Sequence, residues 1–373
     1  MKRIVIIGGG FAGLSAATGL LKYKKQVEVV LADRKSHADF LPLLPDILSG
    51  RIDDKFLSVD LNILAVKLCF EFINSSVIGV DLENKKISLI DKELLYDYLI
   101  IAAGSKTNFY NNVSISKSAF KLDDVSDAQS LLNCLNSQRI ENFIISGGGY
   151  TGTEIAANIW RYFFKKGEKK RIIIIEKASK PLGMLPEWMK QYVLDNLLLL
   201  GVEMRLDARI EAYSENKVIL SGGESFANAA LIWAAGVKTQ DFVKNTGCEC
   251  DRQGRVIVDE YLRLNSNCFC CGDTAHFEHK GSPLRMSIQF AIMQGTFAAE
   301  NIMRIIDKRE LKKYRPLDLG YIISMANNKA CGNVFGFKVK GWFAVLLHYS
   351  MCVFRSYSMA NRLGLIKNLF KGL

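Results

Sequence analysis

Two short glycine-rich stretches, GGGFAG from Gly8 to Gly13 and GGGYTG from Gly147 to Gly152, each follow an apolar β-branched run and precede a helix-forming segment. Strand, glycine turn and helix in that order form the fingerprint of a doubly wound dinucleotide-binding unit, so a chain carrying it twice is expected to hold two nucleotides. In each copy the first glycine (Gly8, Gly147) permits the tight turn and the second (Gly10, Gly149) lets a pyrophosphate approach the backbone. The third (Gly13, Gly152) lets helix and strand pack closely. The phosphates then meet the positive helix end, at Phe11 and Ala12 in the first copy and at Thr151 in the second. Each unit also ends a strand in an acid: VEVVLAD at Asp33, followed by Arg34, and RIIIIE at Glu176. These carboxylates lie at the distance along the chain from which a ribose hydroxyl is held.

A chain of 373 residues with 49% hydrophobic composition has enough apolar material for two compact domains. Met-Lys-Arg leads directly into the first core strand, so no leader is expected ahead of the fold and a cytoplasmic start is expected. The nine cysteines are scattered, which predicts reduced thiols. The CFCC cluster of Cys268, Cys270 and Cys271 reads as core packing, with no paired CxxC sets to complete a metal site, so no metal is expected. The net charge of +11 concentrates toward the end. From Pro316 onward Lys329, Lys338, Lys340, Arg355, Arg362, Lys367 and Lys371 face only Asp318 as an acid, among many aromatic and aliphatic residues. That mixture suits a lipid headgroup surface rather than nucleic acid.

Between the fingerprints, EFINSSVIGVDLENKKISLI and LLYDYLIIAAG alternate as strands and turns. They predict a small antiparallel insertion followed by a return to the first parallel sheet. Ala103 and Gly104 close that strand with small residues, where a nucleotide can lie near the backbone, and LIWAAGV repeats the closure at Gly236. The run from Ser287 to Ile306 has helical periodicity. The fold class expected is α/β: two Rossmann-like dinucleotide-binding domains, the second inserted in the first, plus a C-terminal membrane-associating segment.

With these residues in place the chain resembles the two-dinucleotide-binding flavoproteins, and within them it is similar to the type II NADH:quinone oxidoreductases. The finer resemblance rests on FLPLLPDILSG after Asp33, SKTNFYN after the first AAG, GGGYTGTEIAANI, WAAGV, CGDTA, the helix from Ser287 and the basic apolar tail. It implies an FAD-binding domain at 1–112 and 239–315, an NADH-binding domain at 113–238, and a membrane-associating or dimerisation segment at 316–373. By resemblance Asp33 holds the FAD ribose, Pro42, Leu43 and Leu44 border the isoalloxazine, and Asp273 hydrogen-bonds the ribityl or phosphate part. Glu154 is implied as a carboxylate near the nicotinamide and the flavin edge, the one candidate catalytic residue. A carboxylate at Glu176 repels a 2′-phosphate, which favours NADH over NADPH.

The acceptor is argued from residue types. Disulfide reductases of this superfamily carry a redox cysteine pair shortly after the first ribose acid, where this chain reads DFLPLLPDILSG. In the type II family a helix with the pattern AQxAxQQ lines the quinone site. Here Gln289, Ala291 and Gln294 match it, while Ile288 and Met293 depart. The implied substrates are therefore NADH and a membrane quinone, turned over without proton pumping. The alternatives are a sulfide:quinone oxidoreductase, with Cys331 near the flavin, or a flavin-binding redox sensor. GWFAVLLHYSMCVF is too short to span a bilayer. From Asn361 to Lys371 a helical projection gathers Leu363, Leu365, Ile366, Leu369 and Phe370 on one side, with Asn361, Lys367, Asn368 and Lys371 opposite. A peripheral homodimer on the cytoplasmic face of the inner membrane is the resulting expectation.

Overall fold

The computed structural model describes residues 1–183 and 185–372, which form two compact units. The first comprises residues 1–38, 59–106 and 237–318; the second comprises 39–58, 107–236 and the chain from 319 on. Both are α/β, and the second fingerprint belongs to a stretch of chain inserted between parts of the first unit.

In the first unit five parallel strands run in the order Cys268–Cys270, Tyr98–Ile101, Lys2–Ile7, Val27–Asp33 and Glu71–Asn74. Ile4 to Ile7 are buried, as a parallel strand covered on both faces requires. Helix Phe11–Leu20 lies along helix Ile288–Ile306, and small residues set the spacing: a Cβ on Gly295 would stand 2.0 Å from the Ala12 carbonyl oxygen. The antiparallel insertion is present as Val77–Asp81, Lys86–Leu89 and Glu93–Leu95. Its expected first strand, Glu71–Asn74, instead extends the parallel sheet beside Val27–Asp33. Cys268, Cys270 and Cys271 are fully buried, and burial raises all three thiols.

The second unit repeats the plan with parallel strands in the order Glu203–Arg205, Arg171–Ile175, Asn142–Ser146 and Ala229–Trp233. Helix Tyr150–Lys166 follows its fingerprint. Two segments join this unit that the sequence places elsewhere. Residues 39–58 fold as a short helix, Leu44–Leu48, whose Leu48 enters one apolar core with Ile155, Ile159 and Phe163. The tail supplies that same core with Ile323, Met325 and Cys331 from an antiparallel sheet of Gly320–Met325, Lys329–Val334 and Phe337–Lys340. The units divide at 106/107, 236/237 and 318/319, close to the expected 112, 238 and 315, with residues 39–58 and the tail grouped in the second unit.

Two helices finish the chain, Trp342–Arg355 and Met359–Gly372, and no helix among the described residues is long and apolar enough to cross a membrane. The projected faces of the last helix are corrected by its neighbours. Asn361 is buried and donates to the Ser58 carbonyl at 3.0 Å, while Asn368 accepts from the Asp53 N–H at 2.8 Å. The Ser58 carbonyl thus draws Asn361 inward together with Leu365, the Asn368 bond stays at the surface, and a Cβ on Gly364 would meet the Phe56 ring at 2.2 Å. Met359, Leu363, Ile366 and Phe370 form the exposed apolar stripe instead.

All four tryptophans lie in the second unit, at Trp160, Trp188, Trp233 and Trp342. Leu48→Ala removes a wholly buried side chain there and is expected to destabilise by about 2–5 kcal/mol. Urea unfolding followed by tryptophan fluorescence checks this; an unshifted midpoint would place residues 39–58 outside that core.

Candidate functional site

Each fingerprint builds the same cradle. Gly8 has φ +107° and Gly147 has φ +105°, a region that favours glycine. Side chains at either would also collide with the strand behind, since their Cβ atoms would stand 2.3 Å from the Ala102 carbonyl oxygen and 2.6 Å from that of Ala234. A Cβ on Gly13 or Gly152 would sit 1.8 or 2.0 Å from the carbonyl oxygen of Gly8 or Gly147, so helix and turn are in direct contact there. At Gly10 and Gly149 the opposite holds, with no atom within 4 Å of an added Cβ. These are also the N-cap positions, and neither helix start is capped by a side chain. An open backbone at an uncapped, positive helix end is the environment a pyrophosphate fits.

The two acids are fixed alike. Asp33 Oδ2 accepts the Gly9 N–H at 2.6 Å and Oδ1 accepts the Lys35 N–H at 2.8 Å. Glu176 Oε2 accepts the Gly148 N–H at 2.7 Å and Oε1 accepts the Ala178 N–H at 2.8 Å. Each carboxylate keeps further lone pairs for ribose hydroxyls. The residues present thus fit one dinucleotide per unit. Around the cradles Phe11 and Ala12 are buried, whereas Arg34 and Thr151 are exposed. Gly236, at φ +148°, would bring a Cβ within 2.4 Å of the Tyr110 hydroxyl, and Gly104 takes φ +66° with open space around it.

In the first unit Asp273 lies in the tight turn Gly272–Thr274 and accepts from the Ser105 hydroxyl at 2.8 Å, and burial raises its carboxyl. Gln294 is buried, and its side-chain oxygen accepts the Gly272 N–H at 2.8 Å, so this amide holds the turn that presents Asp273. Gln289 is also buried and donates to Asp318 at 3.0 Å, which is clamped by both terminal nitrogens of Arg285. In the second unit the side chains of Leu43 and Leu44 are wholly buried, and Pro42 is half-buried.

Glu154 lies in the second turn of its helix, beyond the first-turn positions where the helix dipole favours an acid. Burial pushes its carboxyl up to about 8, the nearby Asp46 carboxylate adds to this, and the Ser324 N–H pulls it back. Beside it stands a buried cluster that has no signature in the sequence. Tyr349 donates to Asp46 Oδ1 at 2.6 Å, and Arg51 donates to the Tyr349 oxygen at 2.6 Å and to the Ala326 carbonyl at 2.9 Å. Arg51 and Tyr349 are 298 positions apart, so no local pattern marks them.

A family model for pyridine nucleotide-disulphide oxidoreductases matches residues 2–295. A type II NADH:quinone oxidoreductase of Haemophilus influenzae is 28% identical, over 94% of this chain and 92% of its own. NDH2 from Plasmodium falciparum, solved in complex with NADH, superposes with a TM-score of 0.88 at 18% identity, covering 99% of this chain and 98% of that one. The sulfide:quinone oxidoreductase from Aquifex aeolicus superposes with a TM-score of 0.82 at 20% identity, over 100% of this chain and 94% of its own. At such identities the two solved structures speak for the fold alone.

The raised Glu154 carboxyl predicts a pH-dependent stability. Its folded value of about 8 lies above the ordinary 4.5, so between those values the unfolded chain releases a proton that the folded protein retains. Stability is lost as pH rises through that window, at up to about 1.4 kcal/mol per pH unit. Glu154→Gln is expected to remove this slope, so its melting temperature gains on the parent between pH 5 and pH 8; parallel profiles would show Glu154 to be ionised.

Proposed function

Because the chain belongs to the pyridine nucleotide-disulphide oxidoreductase family, we propose that it is a flavoenzyme that oxidises NADH and reduces a membrane quinone without pumping protons. The observation that carries the reading is one cradle built twice, each with its own acid, in a chain similar over almost its whole length to a type II NADH:quinone oxidoreductase. FAD belongs in the first cradle and NADH in the second. FAD bound there would supply hydride acceptance from NADH and two-electron transfer to the acceptor.

The chain's own residues bind, orient and hold a proton. The Gly10–Phe11–Ala12 helix start binds the FAD pyrophosphate, Asp33 accepts from its ribose, and Asp273, aimed by Ser105 and Gln294, binds its ribityl or phosphate part. Gly149 and Thr151 do the same for NADH. Glu176, anchored through both oxygens, accepts from the ribose and disfavours a 2′-phosphate. Glu154, protonated near neutral pH, is the candidate catalytic carboxyl. Gln289 is the amide assigned to the quinone, with Asp318 and Arg285 orienting it.

Sulfide as donor requires a reactive thiol. Cys331, the candidate for that role, is wholly buried in the second unit's core, and burial pushes its thiol up to about 12. It is a packing residue, not a poised thiolate.

The tail carries the membrane part of the reading. Phe337, Phe343, Phe354 and Phe370 are exposed, at 74%, 55%, 76% and 84%, with Trp342, Leu346, Leu363 and Ile366 beside them in sequence. Lys338, Lys340, Lys367 and Lys371 are interleaved with them. Exposed aromatic side chains among lysines suit an anionic headgroup surface. A peripheral position on the cytoplasmic face of the inner membrane, as a homodimer, completes the proposal.

Anaerobic mixing tests the chemistry. NADH is expected to bleach the flavin absorbance, a short-chain quinone to restore it, and sulfide to leave it oxidised; bleaching by sulfide alone overturns the reading. For the tail, the combined substitution Phe343→Ser, Phe354→Ser and Phe370→Ser is expected to abolish co-sedimentation with phosphatidylglycerol vesicles. Retention on those vesicles sinks the membrane assignment.

A further inference from the structure

The buried cluster beside Glu154 lies outside both glycine cradles. Arg51 is wholly buried and keeps its charge, since a guanidinium does not release its proton in a protein. Asp46, 4.0 Å away and itself buried, balances that charge. Asp46 is held from two sides: Tyr349 donates to it, and Arg51 donates to Tyr349. Arg51 is anchored in turn on the Ala326 carbonyl and the Asn328 side chain. Asp46 lies on helix Leu44–Leu48, which packs on the helix carrying Glu154.

We propose that Asp46, clamped by Tyr349 and Arg51, is a positioning residue whose fixed negative charge keeps a proton on Glu154 until the acceptor takes it. The balance of the reaction calls for such a store. NADH, a quinone and one proton give NAD+ and a quinol: hydride carries two electrons and one proton, and the second proton comes from elsewhere. Two carboxyls placed close together in a low-dielectric interior do not both ionise readily. Burial raises the Asp46 carboxyl, but the Arg51 guanidinium and the Tyr349 hydroxyl draw it back, whereas Glu154 is drawn back by the Ser324 N–H, so of the two carboxyls Glu154 is the one that holds the proton.

The other charged and titratable groups of the cluster leave this assignment intact. From Glu154's own helix, Arg161 donates to the Ala326 carbonyl and Lys165 to the Ser49 carbonyl, both at main-chain oxygens. From helix Trp342–Arg355, burial lowers His348 to about 4 and raises the Cys352 thiol, so both are neutral near pH 7. After burial, the Asp46 charge is what raises the Glu154 carboxyl.

The inference rests on the proposed NADH:quinone reading only for the destination of the proton, and its test needs neither substrate. The carbonyl stretch of a protonated carboxylic acid is followed in infrared difference spectra of the resting holoenzyme across pH and assigned by its loss in Glu154→Gln. Asp46→Asn is expected to move the Glu154 midpoint down by about 1 pH unit. Asp46→Glu keeps the charge and is expected to leave it in place. Should Asp46→Asn fail to fold around the orphaned Arg51, Asp46→Leu combined with Arg51→Met replaces the ion pair with apolar groups of similar size, a change that folds tolerate. It is expected to shift the midpoint down by less, because a cation leaves with the carboxylate. An unmoved midpoint in either charge-removed protein overturns the proposal, whatever acceptor the mixing experiment finds.

Discussion

Each cradle hangs on one charge-assisted hydrogen bond, from a backbone N–H in the glycine turn to the carboxylate that ends the next strand. Gly9 to Asp33 and Gly148 to Glu176 are the same bond made twice, at 2.6 and 2.7 Å. It works with the backbone bonds from Gly8 to Ala32 and from Gly147 to Ile175, both 2.8 Å, to fix a turn whose glycines have much backbone freedom to lose on folding. With it, first and second strands of each sheet are tied at their C-terminal ends, where a doubly wound fold receives its ligand. The acid therefore both shapes the turn and waits beside it for a ribose.

What could be read from the sequence follows from that locality. Turn, strand and acid all lie within about thirty residues, a span over which spacing alone carries information. The fingerprints, Asp33, Glu176 and the turn at Asp273 were legible for this reason, and so was the split of the chain into an outer and an inserted unit. Residues 39–58 were misplaced because their partners, Phe163 and Met325, lie more than a hundred positions away and no period announces them. The last helix failed differently. A helical projection ranks faces by polarity, but Asn361 turns inward because the Ser58 carbonyl waits there to be bonded.

The two glutamines show how a motif can match while its chemistry lies partly elsewhere. Gln294 spends its side-chain oxygen on Gly272, so its contribution passes through the position of Asp273. Gln289 shares Asp318 with Arg285 and is oriented before any ligand arrives. A side chain already held by a partner loses less rotamer freedom on binding than a free one. Both hydrogen bonds are made with Ile288 and Met293 in place.

Arg51 and Asp46 raise the question of why an apolar core should contain an ion pair. Replacing a buried pair by well-packed apolar residues is often neutral or stabilising, so such a pair is weak evidence for a role in stability. Removing one partner alone is costly, which makes the pair hard to lose in single steps. A reason to hold it must therefore come from what the charge does to its neighbours. The neighbour in this case is Glu154, on the helix of the second fingerprint, in a protein whose chemistry takes up one proton more than the hydride carries. A charge that cannot move, set beside a carboxyl that can release its proton, is the simplest means by which a buried core can govern a step at its edge.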